Sequence, residues 1–428
     1  MGVKVIDKII EGVKKLWKMG LGHVFSAFTI NKIIAFVTNI LIVRFLTKTD
    51  YGLFSDAFNA YSFFNIFTGL GMLGSELLFC TEKRPDQEKK AIYRYTLISG
   101  FVIDVFLGII LIIYAYSGLM SIKESQPLLV ALSGLLALEY VMQYFLIYYR
   151  TKLDNRKFSL LSVTNSSTYL IFGVLGAFFY GPLGTIFGRY VAMLIPILVG
   201  FFLMKKDYVD IININPISTD LKKDIWSYGI KNGLSSYLNH VIYLIDVAII
   251  SYILANPDTV ASYKLATLIP EGLNFVPHAI IVTVIPYFVK NKENKKWIKQ
   301  NTRKLFFSMA ILNCFITVFL LLSAPLLIKL IGGNQYSDSV VYFRILSLSY
   351  FFLGTFRLFS TNLLAIFRKT TFNLIVAGFN GIINIILDVV LISNFHAVGA
   401  AWATMISVVI ASLLSFPYLL YTMNKISN

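Results

Sequence analysis

The chain has 428 residues, 57% of them hydrophobic and only 14% charged, with a mean hydropathy of +0.72. Soluble domains carry about 25% charged residues, so this composition excludes a water-soluble globular protein and makes the bilayer the main solvent. The net charge of +16 would point to nucleic acid in a soluble protein, but its distribution, described below, excludes that reading.

In chain order, residues 1–22 are lysine-rich with apolar side chains at Val3, Ile6, Ile10, Val13 and Trp17. That spacing makes one apolar helical face and predicts an interfacial helix on the cytoplasmic leaflet, with no cleavable signal. Apolar segments follow near 24–46, 51–74, 95–117, 126–149, 158–180, 183–204, 228–254, 260–288, 305–330, 340–364, 371–393 and 397–421. Each is long enough to cross a hydrocarbon core of about 30 Å as a helix. The predicted fold class is therefore an all-α polytopic membrane protein of about twelve transmembrane helices.

The connections alternate in charge. Those around Lys48, Lys123, Gly181, Pro257, Gly333 and His396 carry almost no positive charge, whereas the intervening ones hold clusters such as Lys83 to Arg94, Arg150 to Lys157 and Lys290 to Lys304. With the two ends of the chain, the second set holds 28 of the 38 basic residues. By the positive-inside rule both termini are cytoplasmic, and the basic excess faces anionic lipid rather than nucleic acid. Cys80 and Cys314 fall near inner-leaflet helix ends, which implies neither a disulfide framework nor a metal site.

The most polar connection divides the chain into a six-helix bundle over 23–210, a cytoplasmic linker over 211–226 and a second six-helix bundle over 227–428. A faint repeat relates the bundles. Gly181-Pro-Leu-Gly184 opens the sixth span as His396-Ala-Val-Gly399 opens the twelfth, at an offset of 215, and Asn165 falls opposite Asn380. Tyr51-Gly-Leu-Phe54 matches Val260-Ala-Ser-Tyr263 at an offset of 209. Six helices repeated in the same orientation imply a pseudo-twofold axis along the membrane normal and a central cleft as the natural site.

Charges inside the spans each cost about 2.5 to 3.5 kcal/mol on insertion scales. Arg44, Lys231, Lys329 and Arg344 lie close enough to a helix end to snorkel. Lys32, Arg189, Lys264 and Arg357 lie deeper, and two readings stay open for them: binding of an anionic substrate headgroup such as a phosphate, or ion pairs with Glu139, Asp104 or Asp388. Asp56, Asp246 and Glu271 are candidates for binding a coupling proton or sodium ion, with structural pairing as the alternative. Pro270, Pro277 and Pro286 divide the eighth span and mark it as a bending element. The sequence holds no nucleotide-binding Gly-rich loop and no metal-ligand cluster, so no cofactor is expected.

Several stretches carry a family resemblance. Arg44-Phe-Leu-Thr-Lys-Thr-Asp-Tyr51-Gly52-Leu-Phe54 resembles the segment between the first two helices of polysaccharide flippases of the multidrug/oligosaccharidyl-lipid/polysaccharide exporter superfamily. Asp246 with Tyr263-Lys-Leu-Ala266 resembles the second-half counterpart, and Gly332-Gly-Asn-Gln-Tyr336 with Phe343-Arg-Ile-Leu346 is similar to a later connection. Ala397-Val-Gly399-Ala-Ala-Trp-Ala-Thr404 matches the start of the twelfth helix, with His396 where the family usually has glycine. Twelve spans and Asp56 on the second helix set the chain apart from the lipid II flippase branch.

The resemblance implies translocation of an undecaprenyl-diphosphate-linked oligosaccharide from the cytoplasmic to the outer leaflet of a bacterial inner membrane, by alternating access. The polymer would be O-antigen, capsule or exopolysaccharide, with the polysaccharide polymerase and chain-length machinery as partners. A cation-coupled multidrug antiporter of the same superfamily is the alternative. A membrane-embedded polymerase or ligase is a second alternative, disfavoured by outer loops of about ten residues or fewer.

Overall fold

The computed structural model describes residues 21–212, 214–291 and 293–427; of the predicted interfacial segment 1–22, all but the last two residues fall outside them. The described residues are helical almost throughout and contain no strand. Eight helices are long and apolar enough to cross a membrane, or nine with the bent pair Lys123–Leu132 and Leu135–Thr151. Two of these, Asn155–Ile212 and Thr370–Ser427, are 58-residue helices interrupted by a single non-helical residue. Each supplies two spans, and Thr219–Leu254 supplies the seventh. All twelve predicted segments are present, and the protein is an all-α polytopic membrane protein.

The helices outrun the hydropathy pattern. The third span begins at Asp86 and the ninth at Lys295, each well before its apolar stretch. Hydropathy marks where the bilayer ends, whereas backbone hydrogen bonding carries a helix on through a charged turn. Asp86 and Glu88 complement the positive helix start, Arg84 pairs with Glu88 at 2.6 Å, and Asn294 caps the ninth helix by accepting from Trp297 N at 3.0 Å.

The chain forms two compact units, one ending at Val241 and the other starting at Ile242, so the boundary falls within the helix Thr219–Leu254. The first half of that helix packs into the first unit. Ser75 Oγ donates to Ile225 O at 2.7 Å, and Trp226 Nε1 donates to Tyr95 Oη at 2.9 Å. A Cβ on Gly71, which has φ +86°, would lie 2.0 Å from Gly229 O, so only glycine permits this approach.

The repeat is visible in the backbone. Gly181 and His396, 215 residues apart, interrupt the two long helices with nearly the same dihedrals, φ 62° and ψ −144° against φ 53° and ψ −142°. Beyond each interruption the helix folds back on itself. A Cβ on Gly184 would meet Gly176 O at 2.1 Å, and one on Gly399 would meet Leu391 O at 2.1 Å, again 215 residues on. Each unit also breaks its second and fourth spans. In the first unit the second span opens at Thr68–Gly71 and the fourth bends by 40°. In the second unit the eighth span breaks at Asn274 and the tenth contains a π-helical turn, Leu353–Arg357.

Polar side chains fill the breaks, as buried backbone groups require. Asp104 Oδ1 accepts from Gly69 N at 2.7 Å. Tyr190 Oη donates to Ala131 O at 2.7 Å, beside the bend of the fourth span. Asn313 donates to Thr355 Oγ1 at 3.2 Å and accepts from Tyr350 Oη at 3.1 Å, bracing the π turn.

At one end of the first unit Asp207 accepts from Tyr148 Oη and Lys152 Nζ at 2.5 Å each. Burial pushes this carboxyl up, but the hydrogen bonds from Lys152 and Tyr148 and the lysine charge outweigh it and hold the group below its ordinary range.

Candidate functional site

The second unit gathers acidic and hydroxyl groups from three helices. Asp246, half-buried on the seventh span, accepts on Oδ2 from Tyr263 Oη at 2.8 Å and from Thr404 Oγ1 at 2.5 Å. The two hydroxyls are 3.3 Å apart. Asp388, from the eleventh span, has no exposed surface, and neither of its carboxylate oxygens receives a hydrogen bond. It lies within electrostatic reach of Asp246. Two carboxylates are both acceptors, so their approach inside a membrane unit requires a shared proton or a cation between them. The donor set is all oxygen, which suits a hard monovalent ion. Among the described residues no group of three acidic, histidine or cysteine side chains could hold a metal.

The same two helices hold a cation further along. Asn380 and Asn384 precede Asp388 by two helical turns and one turn, and all three are buried on one face. With its amide oriented so that nitrogen faces an acceptor and oxygen a donor, Asn380 donates to Ser407 O at 2.5 Å and accepts from Arg357 Nη1 at 3.2 Å. Arg357, half-buried, closes the π turn of the tenth span; π turns commonly re-aim a side chain at a functional position. The eleventh and twelfth spans therefore connect an arginine at one level to a pair of carboxylates at another.

The remaining predicted residues separate by unit. Lys264 is half-buried next to Tyr263, and the exposed Glu271 lies within electrostatic reach of Lys264 and Asp246. Pro270 and Pro277 are buried on either side of the break at Asn274, and Pro286 is exposed in the helix Phe275–Lys290. In the first unit, Arg189 stacks over Tyr169 at 4.4 Å and lies within electrostatic reach of Tyr61, whose hydroxyl donates to Glu139 Oε2 at 2.9 Å. Asp56 is buried at 9% exposure, and Lys32 is exposed, its ammonium 5.6 Å from the Phe28 ring. The structure brings Asp246 together with Asp388 and places Lys264 near Glu271. It places Asp56 in the other unit.

Sequence reasoning treated Asp388 as a partner for cations and assigned no role to Thr404, Tyr263 or Asn380. The signal available was the spacing of Asn380, Asn384 and Asp388, polar every fourth residue in an apolar span.

The chain from 19 to 292 matches the family described as polysaccharide biosynthesis protein. The chain belongs to that family. An uncharacterized membrane protein of Methanocaldococcus jannaschii is 28% identical over 283 residues, 64% of this family member and 63% of that protein. The chain thus spans less than two thirds of that relative's length. Two solved structures share the fold at low identity. One is an inward-facing multidrug resistance transporter of the MATE family in the MOP superfamily, with TM-score 0.70, 14% identity, and coverage of 93% of this chain and 95% of that one. The other is the lipid II flippase MurJ in an inward closed conformation, with TM-score 0.72, 16% identity, and coverage of 94% and 89%. At these identities the likeness establishes the fold alone.

Proposed function

We propose that this polysaccharide biosynthesis protein is a flippase that carries an undecaprenyl-diphosphate-linked oligosaccharide from the cytoplasmic to the outer leaflet of a bacterial inner membrane, with both termini cytoplasmic. The observation that carries the reading is Arg357, a half-buried guanidinium within an apolar span, whose Nη1 donates to the Asn380 amide oxygen. A guanidinium so placed binds a diphosphate by charge-assisted hydrogen bonds, and Lys264 in the same unit adds a second positive charge. Arg189 and Lys32 are the corresponding cations of the first unit. The glycan and diphosphate travel through the protein while the polyprenyl tail stays in lipid.

Asp246 and Asp388, with the Tyr263 and Thr404 hydroxyls, bind the coupling ion, a proton or sodium. Binding of one ion neutralises the carboxylate pair and shifts the balance between inward-open and outward-open forms. Asp56 and Glu271 are secondary candidates for the same task, and the break between Pro270 and Pro277 supplies the bending element.

The test uses purified protein in liposomes loaded with a short-glycan undecaprenyl-diphosphate, read by the fraction of glycan that becomes accessible to an added glycosidase. Accelerated accessibility, lost in Arg357→Glu with insertion intact, supports the reading. Gradient-driven efflux of cationic dyes with no flipping of any glycan would assign the protein to multidrug extrusion instead.

A further inference from the structure

The first unit contains a buried acid that the transport cycle above does not use. Glu76, on the helix Met72–Thr81, has no exposed surface. Its Oε2 accepts from Thr96 Oγ1 at 2.6 Å, and its Oε1 is buried without a hydrogen-bond partner. The titratable groups facing it are Cys80 on its own helix, Tyr93 on the third span, and Tyr140 and Tyr144 on the fourth. None is a cation. An ionised carboxylate buried without a counter-charge is strongly disfavoured inside a protein, and more so inside a membrane.

A column of tyrosines leads from this acid to the cytoplasmic end. Tyr140, Tyr144 and Tyr148 recur every fourth residue on one face of the helix Leu135–Thr151, and each is at most 1% exposed. Tyr140 Oη donates to Thr96 O at 2.5 Å, fixing the lower side of the Glu76 site. Tyr144 Oη is a second buried polar atom without a partner. Its ring stacks on that of Tyr148 with centroids 6.3 Å apart, and Tyr148 donates to the partly exposed Asp207 at 2.5 Å. Buried tyrosine hydroxyls ordinarily find partners; that of Tyr144, like that of Tyr149 on the same helix, has none, and Tyr144 lies between Glu76 and the solvent-reaching Asp207.

We propose that Glu76 is a proton-binding site within the first unit, filled from the cytoplasmic face by way of Asp207, Tyr148 and Tyr144. The proton sits on Oε1, where it removes the buried charge. In the transfer each hydroxyl releases its own proton as it receives the next. The tyrosines end neutral, and only Glu76 and the donating water change charge. Tyr144 and Tyr148 are one helical turn apart, about 6 Å along the axis, a step that a single water bridges.

Infrared difference spectroscopy of the full-length protein in lipid tests this directly. The wild type should show a protonated-carboxyl C=O band at neutral pH that shifts in D₂O and is lost in Glu76→Gln, which keeps the size of the side chain and the hydrogen bond from Thr96. Tyr144→Phe and Tyr148→Phe should keep the band and slow its deuteration. If the wild type and Glu76→Gln spectra coincide in the carboxyl region, the site is overturned. If the band is present but both tyrosine variants deuterate at the wild-type rate, the route is overturned. Should Glu76→Gln not fold, Glu76→Asp must shift the band, and an unshifted band overturns the site.

Discussion

The helical hairpins 155–212 and 370–427 share a backbone and differ in charge. At the offset of 215 their turns have nearly the same dihedrals, and the close approach at Gly184 recurs at Gly399. The side chains facing inward do not. Arg189 is replaced by Thr404, Tyr169 by Asn384 and Gly173 by Asp388. In the first hairpin the position is filled by a guanidinium lying over a tyrosine ring at 4.4 Å. In the second, the equivalent threonine donates to Asp246 beside an unpartnered Asp388. One unit carries a covalently attached cation where the other presents carboxylates. Duplication preserved the turn and the close approach at Gly184 and Gly399 and left the polar interior free to diverge.

The largest effect expected from this difference lies in the second unit. Asp246→Asn and Asp388→Asn should each abolish the dependence of transport on an ion gradient and remove ion-induced stabilisation. A ligand at about 100 times its dissociation constant stabilises the folded state by about 2.7 kcal/mol. Thermal unfolding as a function of sodium concentration and pH measures it. Persistence of a full ion-dependent shift in both variants would remove the carboxylate pair from the mechanism. Arg189→Gln, at the equivalent place in the first unit, should leave the ion-dependent shift unchanged.

The fold was more legible than the site because the two are written at different scales. Twelve apolar segments and the alternation of basic connections are bulk properties, summed over about 20 residues each. The repeat was readable at Gly181 and His396 because a hairpin turn constrains the chain sharply. The breaks in the second and fourth spans were not, since residues such as Ser133 and Gly354 also occur in unbroken helices, and the groups that stabilise the breaks, Asp104 and Asn313, come from other helices. The same holds for the site. Asp246 stood out as a charge in an apolar helix, but its meeting with Asp388 and Thr404 depends on tertiary packing across more than 140 positions of sequence.

The shared backbone makes a second prediction. Gly184→Ala and Gly399→Ala each place a Cβ 2.1 Å from a carbonyl oxygen of the facing helix, so both hairpins must separate locally. Overpacking of this kind costs about 1 to 3 kcal/mol, and equivalent contacts should give losses of similar size in chemical or thermal unfolding. A large loss in one with none in the other would break the structural equivalence of the hairpins.

His396 offers a gain. With φ 53° and ψ −142° it occupies a region suited to glycine, and its side chain is exposed. Such strain costs about 1 to 3 kcal/mol, part of which returns as unfolded-state entropy when glycine is introduced. His396→Gly should therefore raise stability by about 1 kcal/mol, and Gly181→Ala, its mirror experiment, should lower it by a similar amount.

The smallest effect tests where the units are not alike. Asp207 and Tyr148 join two helices at one end of the first unit, and at the same offset the second unit has Thr422 and Leu363. Because the Asp207 carboxyl is held below its ordinary range, its contribution is complete above the unfolded-state value, near pH 4, and is lost as pH falls through the lower folded-state value. The pair with Lys152 is about two-fifths exposed on both sides, which limits its net worth to about 1 kcal/mol or less. Asp207→Asn should thus lower stability slightly at neutral pH and flatten its fall in acid, measured by unfolding at pH 7 and below pH 4. An unchanged acid profile would mean that Tyr148, not the ion pair, holds this end of the unit together.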